Sequence, residues 1–297
     1  MIIKFLRNGS IAGILAYTLW GILGIFWKLL EKLSPFDILA YRFLFSSAYM
    51  LLYIDLTGNV SEFLGSLKKI YDQKQLKWLI LASILIAINW GMYIYMVSNK
   101  QATEASLGYY LLPILNIVVA VTIFKEKMTR YTLISTILVF LGVIIMTVSL
   151  HSIPLNMFIL IMSFCLYGIV KRKISISPIF SIAIENLIIL PIAVIYLYMY
   201  SSLSFFSYSS NLKLLIMMSG LVTIIPLFLF SISIKKINFI TLGFIQYINP
   251  TLQLGIAIVI FHEPLTQIHV IVFFLIWLGI LIYIAEIIVT NKTKYHS

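Results

Sequence analysis

Two ionisable residues stand inside otherwise apolar stretches, Arg42 in "ILAYRFLFS" and Glu185 in "SIAIENLIIL". A charge at mid-bilayer costs ~2.5–3.5 kcal/mol on insertion scales, so such groups face a cavity or a partner. A guanidinium and a carboxylate can satisfy each other as a bidentate pair. That reading makes Arg42–Glu185 a tie between two parts of the chain. The other reading gives one or both a solute to bind, or gives Glu185 a proton to exchange.

A second set of polar residues is uncharged. Gln246, Asn249 and Gln253 recur at helical spacing on one face, and Pro250 removes a backbone hydrogen bond beside them. An all-amide face with a freed carbonyl suits a polar small molecule. Amides also bind membrane helices to one another. Earlier in the chain, Tyr109 and Asn116 flank Pro113, Asn89 and Tyr93 share a face with Met96, and Trp20 shares one with Tyr17, Gly21 and Gly24. Aromatic rings can grip an apolar or cationic part of a ligand, or simply pack. The candidate substrate-binding set is therefore Gln246, Asn249, Gln253, Tyr109, Asn116, Asn89, Tyr93, Trp20, Arg42 and Glu185.

Enzymatic chemistry finds no support in the motifs. The chain has no G-x-x-x-x-G-K-[ST] loop. His262-Glu263 lacks the second histidine of a zinc helix. His151, His262, His269 and His296 have no paired spacing, and Cys165 is alone. Neither a catalytic residue, a metal nor a cofactor is expected.

The elements that must position these residues are membrane helices. Of 297 residues, 62% are hydrophobic and 10% charged, where a soluble domain carries about a quarter charged. A spanning helix needs ~20 apolar residues. Ten such runs are expected, near 10–30, 37–56, 77–98, 103–124, 131–150, 154–170, 178–200, 212–234, 238–261 and 268–289. The first run is too long for the apolar part of a cleaved signal peptide. Barrel strands are excluded, because the runs are twice a strand's length and apolar on both phases.

The formal charge of +11 follows the positive-inside rule. With the N-terminus in the cytoplasm, sixteen Lys and Arg fall on that side. Four (Lys28, Lys32, Lys100 and Lys213) fall on the other, and Arg42 lies within a span. Both termini are expected to be cytoplasmic, and nucleic acid is not needed to explain the charge. The polar link 57–77 spaces Phe63, Leu64, Leu67, Ile70 and Tyr71 helically among lysines, as an amphipathic helix lying on the membrane does.

The chain repeats itself. Leu107-Gly108-Tyr109 matches Leu242-Gly243-Phe244, and Pro113, Asn116, Glu126 and Gly142 match Pro250, Gln253, Glu263 and Gly279. Ser34-Pro35 matches Ser177-Pro178, and that alignment sets Arg42 on Glu185. Two five-helix halves follow, 1–150 and 151–297. Five is odd, so the second is inverted. Inverted repeats are a recurring plan of transporters, with the site near the midplane between halves. Glu126 and Glu263 then lie on opposite faces, as caps of the following helices or as ion-pair partners there.

The stretches "AYTLWGILGIFWKLL", "ILAYRFLFS", "NWGMYIYMVSNKQATEASLGYY" and "FIQYINPTL", with two Phe-x-Glu helix ends, carry a resemblance along essentially the whole chain. They resemble the drug/metabolite transporter superfamily, in its EamA branch and RarD subgroup. The resemblance implies an all-α polytopic protein of ten helices in two inverted repeats, a secondary carrier in the inner membrane. Its members handle amino acids, nucleotide-like metabolites and drugs. The family's usual Ile-Asn-Pro stands at Ile248-Asn249-Pro250, whereas the first copy reads Leu111-Leu112-Pro113. Substrate contacts borrowed for Leu112 are therefore not expected. The expected partners are the bilayer and a small metabolite or drug-like solute, moved by export. The alternatives are uptake of an amino acid or nucleotide-derived metabolite, and a scaffold or channel. A proton is the candidate coupling ion, in a monomer or homodimer.

Overall fold

The computed structural model describes residues 8–99, 102–149, 155–201, 204–260 and 267–295. They are helical, with no strand among them. In chain order the helices are α1 (Gly9–Lys28), α2 (Pro35–Leu56), α3 (Val60–Asp72), α4 (Leu76–Ser98), α5 (Ala102–Thr122), α6 (Arg130–Ser149), α7 (Leu155–Lys173), α8 (Pro178–Met199), α9 (Ser210–Lys236), α10 (Phe239–Gln246), α11 (Ile248–Val259) and α12 (Gln267–Tyr295). A short 3-10 turn, Phe205–Ser207, precedes α9.

Eight of these are long and apolar enough to cross a membrane: α1, α2, α4, α6, α7, α8, α9 and α12. The two expected spans missing from that set are the fourth and ninth, which carry Pro113 and Pro250; Pro191 of α8 and Pro226 of α9 lie inside helices that belong to it. α5 runs unbroken through Pro113. The ninth run instead divides at Tyr247 into α10 and α11. Pro250 is then the third residue of α11, where a helix has no internal partner for an N–H in any case.

Helix boundaries follow local chemistry. Asn8 caps α1, its side-chain oxygen accepting from the Ser10 N–H at 3.0 Å. Pro35 and Pro178 open α2 and α8 in the first turn, where their fixed φ suits a helix start. Gly58 takes a φ of +69° in the link from α2 to α3. The amphipathic expectation holds for α3: Leu64, Leu67 and Tyr71 are exposed and Ile70 is buried. Phe63 packs on Phe180 at 5.7 Å between ring centres.

The helices pack as pairs. α1 lies on α9, α2 on α8, α4 on α7, α5 on α10, and α6 on α12. Small residues allow the closest approaches. A Cβ on Gly220 of α9 would stand 2.6 Å from the Phe45 backbone of α2, and one on Gly279 of α12 would stand 2.7 Å from the Ser135 carbonyl of α6. α2 and α8 are antiparallel. Phe36, at the start of α2, meets Tyr196 near the end of α8, while the start of α8 meets α3, which follows α2. The core runs through all the pairs, with Tyr17, Phe43, Trp90, Tyr110, Phe164, Tyr167, Phe230 and Tyr247 among its members.

Candidate substrate-binding site

Arg42 is the eighth residue of α2. Its guanidinium lies over two indole rings, 4.6 Å from the centre of Trp27 and 4.3 Å from that of Trp90. Its Nε–H donates to Thr223 Oγ1 at 2.9 Å, and Thr223 back-bonds to the Ser219 carbonyl. Tyr93 and Tyr109 lie within Coulombic reach of the guanidinium, and their rings are in contact at 5.8 Å. These neighbours come from α1, α4, α5 and α9. Arg42, Trp27, Tyr93 and Tyr109 are half-buried. Four helices thus surround a guanidinium that is not fully covered.

Glu185 is not the partner of Arg42, which corrects the pairing expected from the repeat. Its carboxylate accepts from Lys171 Nζ at 2.6 Å, from the Tyr167 hydroxyl at 3.0 Å and from the Ser181 hydroxyl. Lys171 also donates to Ser181 at 2.6 Å. The ion pair is closed off: Lys171 is 0% and Glu185 2% exposed. The reason lies in the antiparallel packing of α2 on α8. Equivalent positions of antiparallel helices sit equally deep from opposite ends. Two 22-residue helices rising ~1.5 Å per residue put the eighth residues about 10 Å apart in depth. Each charge therefore finds a local partner. Lys171 was concealed in the sequence by its neighbours: "VKRK" reads as a positive helix end, yet one of its three cations turns inward.

The amides satisfy one another or the backbone. Asn116 donates to Gln246 at 2.6 Å, joining α5 to α10. Asn249, in α11, accepts from Gln253 at 2.9 Å within the same helix. Asn89 donates to the Leu160 carbonyl at 2.7 Å, joining α4 to α7. Two tyrosines complete the crossing of α5 with the divided helix. The Tyr110 hydroxyl donates to the Pro250 carbonyl at 3.3 Å, and the Tyr247 hydroxyl to the Tyr110 carbonyl at 3.1 Å. Gln246, Asn249 and Asn116 are buried, and Gln253 is half-buried. Trp20 stands elsewhere, in a cluster with Tyr17, Phe164 and Phe230. That cluster continues through Phe164 to Tyr167, and so to Glu185.

Glu126 does more than the sequence indicates. It caps no following helix. Its carboxylate reaches α10, accepting from the Phe239 N–H at 2.8 Å and the Ile240 N–H at 3.0 Å. Asn238 takes the next amide, that of Thr241, at 2.8 Å. Arg172, on α7, pairs with Glu126 at 3.2 Å and lies over the Phe124 ring at 4.6 Å. One carboxylate thus ties the ends of α5, α7 and α10, where the helix dipole favours a negative charge. Glu263, His262 and His151 lie outside the described residues.

Of the expected set, the structure brings Arg42, Tyr93 and Tyr109 together. Trp27, Trp90 and Thr223 join them. The tryptophans carry no spacing signal that separates them from interface aromatics, and Thr223 has none at all. Among the described residues no group of three or more His, Cys, Asp or Glu is placed to hold a metal ion.

Residues 7–148 match the EamA-like transporter family. The chain is 33% identical to the transporter YojE of Bacillus subtilis, over 93% of each chain. It is 31% identical to Protein RarD of Escherichia coli, over 97% of this chain and 98% of the relative. A solved crystal structure superposes with a TM-score of 0.71 at 16% identity, covering 92% of this chain and 96% of that one. With the all-helical, membrane-length architecture, these likenesses give one conclusion: the chain belongs to the EamA transporter family, in its RarD subgroup, and is a multi-pass membrane transporter.

Proposed function

We propose that the chain is a secondary carrier of ten spans, α5 and the α10–α11 pair completing the eight longer helices. Its halves, 1–150 and 151–297, are inverted repeats that open a shared site to alternate sides. One observation carries this reading. Exchanging the halves maps the packing onto itself: the α1–α9 contact becomes α7–α4, while α2–α8, α5–α10 and α6–α12 return to themselves. Molecules with such exchange symmetry can adopt a second, mirrored state by swapping the conformations of their halves.

In the described state, Lys171–Glu185 and Glu126–Arg172 fasten one end of the bundle. The excess of Lys and Arg in the links on that side supports a cytoplasmic position for that end and for both termini. With export as the working direction, a small metabolite or drug-like solute enters from the cytoplasm when the fastened end opens and leaves between helices beside Arg42 once that end has closed again. Proteoliposomes preloaded with members of a metabolite library test the reading by counterflow. Saturable, trans-stimulated uptake is expected, and flux that rises linearly without saturation contradicts a carrier. Orientation is checked with Lys127→Cys and Gln267→Cys in a Cys165→Ser background, which should label from opposite sides.

A further inference from the structure

The carrier reading leaves the chemistry of the solute open, and the surroundings of Arg42 narrow it. The guanidinium has five N–H donors in one plane. It lies over two indole rings, those of Trp27 and Trp90, and the Nε edge is taken by Thr223. Among the described residues neither terminal nitrogen has a hydrogen-bond partner, and no carboxylate lies within ion-pair distance of the group. A charged fork left this way within a bundle is costly unless something else completes it.

We propose that Arg42 is the anchor for a monoanionic carboxylate on the transported solute, whose apolar or aromatic part lies against Tyr93 and Tyr109. This deepens the carrier reading and rests on it. The paired terminal N–H groups of arginine match a carboxylate in a two-point geometry. The packed rings and the Thr223 bond hold the fork in place, so it is set before the solute arrives. The charge count selects a monoanion. Arg42 supplies one positive charge, and the groups facing it, Trp27, Trp90, Thr223, Tyr93 and Tyr109, add no second. A phosphate monoester, with close to two negative charges, would leave one uncompensated inside the membrane. The other intramembrane cation of this kind, Lys171, is already neutralised by Glu185.

The test uses the full chain in lipid nanodiscs with defined probes: phenylacetate, phenylacetamide and phenyl phosphate, extended to other monocarboxylate and amide pairs. Binding is read from tryptophan fluorescence, since Trp27 and Trp90 frame the site, and from thermal shift. Monocarboxylates should bind about tenfold or more tighter than their matched amides, and tighter than phenyl phosphate. Arg42→Gln should erase the difference, and Arg42→Lys should keep a weaker preference for the acid. Equal binding of acids and amides by the wild-type protein overturns the proposal without any variant having to fold. A preference that survives in Arg42→Gln, or tighter binding of phenyl phosphate, also overturns it. Counterflow separates the two claims. Saturable flux of neutral solutes, unchanged in Arg42→Gln, removes the anchor and leaves the carrier. Selective carboxylate binding with no saturable flux of any solute removes the carrier instead.

Discussion

Arg42 and Glu185 are the eighth residues of α2 and α8, two helices of equal length that pack antiparallel. Both are single charges inside apolar helices. Glu185 is surrounded by Lys171, Ser181 and Tyr167, and essentially no surface of the cluster is left. Arg42 has two indole rings against it, one hydroxyl acceptor and surface left exposed. The comparison separates two uses of a buried charge. A charge with every bond made holds helices in place. A charge packed among aromatic rings but left with free donors is arranged for something that comes and goes.

The largest effect that would break this contrast concerns the closed ion pair. Lys171→Met or Glu185→Leu leaves its partner charged and unpaired, which costs about 3–5 kcal/mol. Either change should lower the yield of monodisperse protein and its melting temperature in detergent. The double variant, an apolar replacement of the pair, should recover most of the loss. Two single-variant losses that simply add in the double would show that the pair is not a unit.

Next comes the placement of Arg42. Gly220 lets α2 and α9 approach, and its carbonyl accepts from Ser46 at 3.2 Å. Thr223 lies one turn further along the same helix. Gly220→Ala drives a methyl group into the Phe45 backbone, an overpacking that costs about 1–3 kcal/mol. Gly24→Ala, where a Cβ meets nothing within 4 Å, is the matched control. Thermal stability should fall in the first variant only. An equal response of the two would mean that the α2–α9 contact is looser than described.

A smaller loss is expected at Glu126. Glu126→Ala removes a cap from α10 and the Arg172 ion pair, worth about 1–2 kcal/mol by analogy with other helix caps. Accessibility of cysteines introduced near residue 239 to a water-soluble label should rise along with the loss of stability. The smallest effect is a coupling energy. A double-mutant cycle between Arg42 and Glu185 should show additivity within about 0.5 kcal/mol, because each answers to different neighbours.

Much of the architecture was legible from hydrophobic runs and charges. Each of the eight long helices coincides with an expected run, and the mixture of lysines with helically spaced apolar residues foretold α3. Proline was the misleading signal. The fourth and ninth spans carry it at repeat-equivalent positions, but α5 absorbs Pro113, as α8 and α9 absorb Pro191 and Pro226, while the ninth span breaks at Tyr247. Proline's missing N–H tells where a helix can yield, and tertiary contacts decide whether it does. Here Tyr110 and Tyr247 exchange bonds with backbone carbonyls across the crossing. The site was legible in its residue types and not in its pairing. Arg42, Tyr93 and Tyr109 were recognisable as unusual, but a repeat offset reports equivalence, not contact. Antiparallel packing of α2 on α8 sends the matched residues toward opposite ends. Lys171 and Glu126 act on distant helices, which no local spacing reveals.

The two uses of a buried charge are tested together by measuring stability and ligand binding on the same pair of conservative variants. Arg42→Gln and Glu185→Gln would each be purified in nanodiscs, melted, and titrated with phenylacetate alongside the wild-type protein. Glu185→Gln should melt lower, with phenylacetate affinity per folded molecule near the wild-type value. Arg42→Gln should melt close to wild type and lose the affinity about tenfold or more. The reverse pattern, with binding lost in Glu185→Gln and folding lost in Arg42→Gln, would contradict the assignment of one charge to the fold and the other to the solute.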